Sequence, residues 1–177
     1  MEKKEKTKTV LLDSSSAILL EKTDLLKLFL GTYEVILTRA VFDELTNNSY
    51  PSARLFLRNY SNSHFRVMTL PESAGNYKTD ELASLNWGER ETILQFLSGT
   101  GDFIMLDDGK AAKYCTKHKL PFINTLLFPI ILHICGILPI AERQAKIEEI
   151  VAIGRYSDKI EEMALGFGSK ELEPFFP

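Results

Sequence analysis

Short apolar runs alternate along the chain with segments of helical periodicity, a pattern typical of α/β proteins. The runs predicted as buried strands are residues 10–12, 33–37, 103–106 and 120–123, and the run 65–70 is compatible with a further strand. Between them, apolar residues recur three and four positions apart, as on one face of a helix. This order predicts a parallel β-sheet between two layers of helices, with right-handed crossovers.

Turn and capping residues set the predicted ends of the helices. One of the serines at 14–16 is expected to cap the first helix, Asp24 the second, and Pro51 to open a later one. Residues 71–80 are predicted to form a polar loop, and residues 170–177 a tail.

Length and composition indicate one domain with a short appendage. The chain has 177 residues, 45% of them hydrophobic and 25% charged, which is ordinary for a globular protein. Its Lys/Glu-rich start resembles no signal peptide, and the longest apolar run, 126–138, is too short to span a bilayer, so we expect a cytoplasmic protein. The predicted parts are a disordered tail (1–8), a main domain (9–140) and a helical extension packed on it (141–177).

Charge and motif content narrow the function. A net charge of −3 argues against a protein that coats nucleic acid through a broad basic surface. The same charge is compatible with an enzyme that has a local basic rim around an acidic site. The two cysteines and three histidines are scattered, so no zinc site is expected. The sequence contains neither a glycine-rich phosphate loop nor a Ser/His/Asp arrangement for nucleophilic catalysis.

Acidic residues occur where predicted strands end or the helices after them begin. Asp13 ends the first strand, Asp107 and Asp108 end a later one, Glu44 lies in the helix after the second strand, and Glu89 is near a helix start. Because the carboxyl ends of parallel strands share one edge of the sheet, these side chains are expected to converge there. Converging carboxylates predict a hard divalent cation, Mg²⁺ or Mn²⁺, and a site suited to phosphodiester hydrolysis.

Each of these acids also has an ordinary structural explanation. Alone, Asp13 would more often cap a helix, Glu44 would be a solvated helix charge, and Glu89 would be a favourable charge at a helix N-terminus. One of Asp107 and Asp108 would cap the helix that follows them. The metal-site interpretation therefore depends on the acids occurring together, in this order and next to these strands.

Four short motifs resemble those of PIN-domain nucleases. They are Val-Leu-Leu-Asp13-Ser-Ser, Val41-Phe-Asp-Glu44-Leu, Trp-Gly88-Glu89-Arg-Glu-Thr-Ile and Ile-Met-Leu-Asp107-Asp108-Gly-Lys. The match is closest to a subgroup with Gly-Glu and Asp-Asp motifs, related to the VapC-type toxins of toxin–antitoxin pairs. It covers residues 9–140, with departures at Leu106, where many members have Thr or Ser, and at Asn124, where Gly often stands.

The resemblance implies a three-layer αβα domain that cleaves single-stranded RNA as a Mg²⁺- or Mn²⁺-dependent endoribonuclease. It implies three partners, namely RNA, an antitoxin protein and a second copy of the chain in a homodimer. It places the metal ligands and catalytic acids at Asp13, Glu44, Glu89 and Asp108, with Asp107 beside them.

Two points stay open at the level of sequence for this site. Either Asp107 or Asp108 is the ligand, and the register of the motif favours Asp108. Arg39, Lys110 and Lys113 are candidates for holding RNA phosphates, although a residue of this kind is more often simply a surface charge.

Two alternative functions remain. The first is a catalytically silent PIN-like module that binds RNA or a protein. The second is a receiver-type phosphotransfer domain, which also gathers carboxylates at strand ends. The late position of the acidic pair and the lack of a lysine at the end of the run 120–123 argue against a receiver domain.

Overall fold

The centre of the protein is a five-stranded parallel sheet, seen in a computed structural model that describes residues 7–47, 49–77, 79–154 and 156–177. The strands are β1 Thr9–Leu12, β2 Glu34–Thr38, β3 Arg66–Met68, β4 Phe103–Met105 and β5 Phe122–Ile123. Their order in the sheet is β3-β2-β1-β4-β5. The predicted parallel sheet between helices is therefore confirmed. Residues 1–6 of the predicted tail lie outside the described residues.

Helices cover both faces of this sheet. They are α1 Ser14–Lys22, α2 Leu26–Thr32, α3 Arg39–Thr46, α4 Ala53–Ser61, α5 Asp80–Ala83, α6 Trp87–Leu97, α7 Gly109–Lys117, α8 Leu127–Ile134, α9 Ile140–Gly154, α10 Asp158–Gly166 and α11 Ser169–Leu172. Short 3₁₀ helices span Glu72–Tyr77 and Glu173–Phe175.

The strand order creates a crevice between β1 and β4. The chain passes from β1 to β2 and β3 on one side of the sheet, and then returns to β4 and β5 on the other. The helices that follow β1 and β4 therefore leave the sheet in opposite directions, and a ligand crevice opens between the carboxyl ends of these two strands. Leu12 is in register with Met105 at that end, so the residues that follow each strand lie side by side.

Two hydrophobic clusters, one on each face, hold the sheet in place. Phe103 and Met105 of β4 face the larger cluster, together with α1, α2, α8 and α9, whereas Ile104 faces the smaller one with α6 and α7. Side chains alternate between faces along a strand, and both faces are covered, so each strand is an almost continuous apolar run. This double burial explains why the strands were recognisable from sequence.

The end of the chain is ordered, so the predicted tail at 170–177 is wrong. The Phe175 ring lies edge-on to Phe103, with 5.2 Å between ring centroids. The Tyr33 hydroxyl donates a hydrogen bond of 2.7 Å to the Phe175 carbonyl. Leu172 is buried in the larger cluster as well. The apolar residues of this segment supply enough burial to outweigh the entropy of ordering it.

Several predicted local features are also wrong. Asp13 itself, not a serine, caps α1, and Asp24 adopts a left-handed conformation (φ 57°) ahead of α2 instead of capping it. The helix predicted from Pro51 begins at Ala53. The predicted loop at 71–80 contains a 3₁₀ helix. Neighbouring residues compete to cap a helix, as Asp13 and the serines do here, and tertiary packing shifts the ends further.

The most apolar helix, α8, lies in the interior. Its residues 127–132 are all buried, so this part of the helix offers no apolar surface for a second copy of the chain. Helix α4 does expose apolar side chains, since Leu57 and Tyr60 are each more than 40% accessible. Within the described residues, no helix combines the length and apolar character needed to cross a membrane.

Candidate active site

An open cleft of about 790 Å³ lies at the carboxyl ends of β1 and β4. Three of its acidic side chains closely follow β1 or β4, and the other two come from α3 and from the N-terminal part of α6. The cleft is lined by all five acids that the sequence singled out, namely Asp13, Glu44, Glu89, Asp107 and Asp108.

Asp13 is the most buried of these carboxylates, with 1% of its surface exposed. Its Oδ2 accepts hydrogen bonds from the backbone N–H and the hydroxyl of Ser15, at 3.2 and 2.5 Å. Its Oδ1 is buried and has no hydrogen-bond partner among the described residues. Burial, and to a lesser extent the charge of Glu89, raises the pKa of Asp13 to about 7. One oxygen of a buried carboxylate is thus left for a ligand.

Asp107 is held by uncharged donors from three separate parts of the chain. Its Oδ2 accepts from the hydroxyls of Ser16 and Thr125, at 2.6 and 2.5 Å. Its Oδ1 accepts from the Thr125 backbone N–H at 3.1 Å, and the Tyr156 hydroxyl donates to the same oxygen. Burial, reinforced by Asp107, raises the pKa of Tyr156, which keeps the hydroxyl protonated as a donor. Both oxygens of Asp107 are therefore already engaged.

Asp108 has a different environment. Its Oδ1 caps α7 by accepting from the backbone N–H groups of Lys110 and Ala111, at 2.7 and 2.9 Å. Its charge is one of the factors that raise the pKa of Glu89. Asp108 therefore faces other carboxylates, whereas Asp107 faces hydroxyls.

Glu89 and Glu44 complete the acidic side of the cleft. Glu89 accepts hydrogen bonds from the backbone and side-chain N–H groups of Asn86, at 3.1 and 3.2 Å, at the start of α6. Its pKa is raised, first by burial and then by the charges of Asp108 and Glu44. The Glu44 carboxylate lies against Gly88, where a Cβ would stand only 3.0 Å from both of its oxygens. Glycine at 88 thus allows α3 and α6 to bring their two glutamates together.

The acids are gathered but do not form a finished metal cage. Within the described residues, no three His, Cys, Asp or Glu side chains are close enough to bind one ion together. Hard oxygen donors are nevertheless the ligands that Mg²⁺ and Mn²⁺ prefer. The unpartnered Asp13 Oδ1 and the mutual repulsion of the carboxylates fit a cation at this place.

The three positively charged residues that the sequence singled out as RNA-binding candidates do not line the cleft. Arg39 pairs with Asp43 at 3.4 Å on the exposed side of α3. Lys110 and Lys113 are exposed on α7. None of these three belongs to the described residues that line the cleft, whereas Lys22, at the end of α1, does.

Several contributors to the site could not be inferred from local patterns. Ser16 and Tyr156 bind Asp107 from 91 and 49 residues away in sequence. Trp87 and Ile153 line the cleft without any acidic or basic group that would have marked them. A weak signal existed for Trp87 alone, since it directly precedes the Gly-Glu motif.

The comparison with known families agrees with this geometry. A family model described as a PIN domain matches residues 9–162, which include all five strands, the five acids and Tyr156. No curated protein matches the chain. Because the family model covers most of the 177 residues, this chain belongs to the PIN-domain family.

Proposed function

We propose that this PIN domain is a Mg²⁺- or Mn²⁺-dependent endoribonuclease that cleaves single-stranded RNA. The observation that carries the proposal is the unpartnered, buried Oδ1 of Asp13 in a cleft shared with other carboxylates. Keeping such an oxygen without a partner costs free energy, which a bound cation would repay. PIN domains are usually nucleases, which agrees with this chemistry.

In this proposal the acids divide into ligands and a positioning group. Asp13, Glu44, Glu89 and Asp108 would hold the cation, with the side chains of Glu44 and Glu89 turning toward it. Asp107 would fix the end of β4 through its hydrogen bonds to Ser16, Thr125 and Tyr156. A divalent cation in this place would neutralise charge on the phosphate and lower the pKa of the attacking water.

The first test is cleavage of a labelled single-stranded RNA in Mn²⁺ and in EDTA. We expect cleavage by the wild type only with the metal, and a loss of more than about 100-fold in Asp108→Asn, since even supporting residues of metal sites contribute about 10–100-fold. Asp80→Asn is the matched control, because Asp80 is exposed at the start of α5. Equal cleavage by Asp108→Asn and wild type would refute the ligand assignment. A wild type without any cleavage would favour a silent RNA- or protein-binding module.

A second test addresses Glu44 through its neighbour. In Gly88→Ala the new Cβ would meet both Glu44 oxygens at 3.0 Å and push the carboxylate away by a few tenths of an ångström. Alanine is at least as good a helix former as glycine, so we expect the free energy of unfolding to change by less than about 1 kcal/mol. A misplacement of about 1 Å lowers rates by about 100-fold, so for this smaller shift we expect kcat/KM for RNA cleavage to fall by about 2- to 10-fold.

The control for this variant is Gly31→Ala in α2, where an added Cβ meets no atom within 4 Å. It is expected to cleave RNA at the wild-type rate. A wild-type rate in Gly88→Ala, with its melting temperature unchanged, would show that the position of the Glu44 carboxylate does not matter for the reaction.

The biological part of the proposal is the toxin of a toxin–antitoxin pair, acting as a homodimer. It is supported by the resemblance of the Gly-Glu and Asp-Asp motifs to VapC-type toxins and by the exposed Leu57 and Tyr60 on α4. Induced expression of the wild type should then arrest growth, and expression of Asp108→Asn should not.

A further inference from the structure

Trp87 is a large aromatic side chain on the rim of the carboxylate cleft. It is the first residue of α6 and the single tryptophan of the chain. Although it lines the cleft, 60% of its surface is exposed. Isolated exposed aromatic residues are common on protein surfaces and need no explanation. What distinguishes Trp87 is that it lies two residues from Glu89, within the cleft that holds the acids.

The positively charged side chain of Arg90 lies against the Trp87 ring. The guanidinium carbon of Arg90 is 4.7 Å from the ring centroid, on the same side of α6 one turn further on. This contact fixes the indole on one side and leaves most of the residue accessible. It also brings a positive charge next to a cleft whose five carboxylates would repel a polyanionic ligand.

These features fit one kind of ligand group. A flat, accessible π-surface backed by a guanidinium is the arrangement on which an unpaired nucleobase stacks. Bases in a duplex are already stacked on each other and cannot reach such a surface, so the arrangement also selects single strands. A protein partner would also cover an exposed tryptophan. The position of Trp87 inside the acidic cleft favours a nucleic acid, because the reacting phosphate must lie there.

We propose that Trp87, backed by Arg90, forms a stacking subsite that holds one unpaired base of the RNA beside the acidic cleft. This proposal rests on the proposed function, since it supplies the substrate contact for the same site. Lys22 lines the same cleft and is available to a phosphate of the bound strand. The subsite would hold the RNA without contributing to the chemical step.

The direct test uses tryptophan emission, because Trp87 is the only tryptophan present. In EDTA, which prevents cleavage, a single-stranded oligoribonucleotide should quench the emission in a saturable way, and a fully paired duplex should not. Emission unchanged by the single strand, although anisotropy of the labelled strand shows that it binds, would overturn the proposal.

Substitutions separate binding from catalysis. Removing one stacked aromatic side chain weakens single-strand binding by about 5- to 100-fold. Trp87→Leu should therefore raise the Kd and the KM by that factor and leave kcat within about twofold, and Trp87→Phe should recover much of the loss. Tyr77→Leu is the control, because Tyr77 is also an exposed aromatic residue but is not among those lining the cleft.

The outcomes distinguish this proposal from the proposed function. Metal-dependent cleavage with an unchanged KM in Trp87→Leu would overturn the subsite and leave the nuclease intact. Quenching by single-stranded RNA without cleavage by the wild type would support the subsite and refute the nuclease. Binding of the single-stranded oligoribonucleotide by Trp87→Leu with the wild-type Kd would overturn the subsite and leave the exposed tryptophan to a protein interface.

Discussion

The Asp13→Asn variant is expected to lose RNA cleavage and, without metal, to be more stable than the wild type at pH 8. Asn retains an oxygen that can accept from Ser15, so the cap of α1 persists. It removes the charge from a carboxylate that is 1% exposed and has one unpartnered oxygen. The same change removes the group that most clearly fits a cation. Activity and stability should therefore move in opposite directions.

The size of the stability effect follows from the pKa of Asp13. The folded pKa is about 7, against 3.8 for an unperturbed aspartate, so the folded protein binds this proton more tightly than the unfolded chain. Below about pH 4 the carboxyl is protonated in both states and costs nothing. Stability is lost as the pH rises from there through 7, and the penalty is complete above it. A shift of about 3 units corresponds to about 4 kcal/mol.

Denaturant unfolding in EDTA at pH 4, 6 and 8 measures this penalty as the difference between wild type and Asp13→Asn. The difference should be near zero at pH 4 and reach up to about 4 kcal/mol in favour of the variant at pH 8. Addition of Mn²⁺ should raise the melting temperature of the wild type and of the control variant, and not that of Asp13→Asn. Asp158→Asn, which changes an exposed carboxylate at the start of α10, is the control. A variant that is less stable than wild type at every pH would contradict the assignment.

Much of the fold could be predicted because the sheet is buried on both faces. Such strands are nearly continuous apolar runs, and the residue that follows each run lies at a known edge of the sheet. Asp13 and the pair at 107–108 were located in this way. That β1 and β4 are neighbours, and so bring these acids into one cleft, was not visible from the runs alone.

The remaining features of the site depend on contacts between distant segments. Tyr156 reaches Asp107 from beyond α9, and Phe175 packs on Phe103 from the last residues of the chain. A single Tyr after a helix carries no local signal, and the short apolar stretch that contains Phe175 does not reveal which distant residue it packs against. The close approach of Glu44 to Gly88 likewise depends on how α3 crosses α6. Sequence periodicity contains no information on such crossings.

The two neighbouring aspartates, Asp107 and Asp108, should give opposite results when they are substituted. Asp107 accepts hydrogen bonds from Ser16, from Thr125 and from Tyr156. Asp107→Ala would leave these donors without their acceptor. Each hydrogen bond to a charged group contributes about 1.5–3 kcal/mol, and rotation of the hydroxyls toward water recovers part of it. We expect Asp107→Ala to lower the free energy of unfolding by about 2–4 kcal/mol.

Asp108→Asn should lose RNA cleavage but keep its stability. Because Asn caps helices as well as Asp does, we expect its free energy of unfolding to stay within about 1 kcal/mol of the wild-type value. Denaturant unfolding and RNA cleavage, measured on both variants at pH 7, make the comparison. Tyr156→Phe, which removes one donor to Asp107, should fall between wild type and Asp107→Ala in stability. If Asp107→Ala were as stable as wild type, the hydrogen-bond network would not be what holds the end of β4. If Asp108→Asn were the unstable variant of the two, the roles of the two aspartates would have to be exchanged.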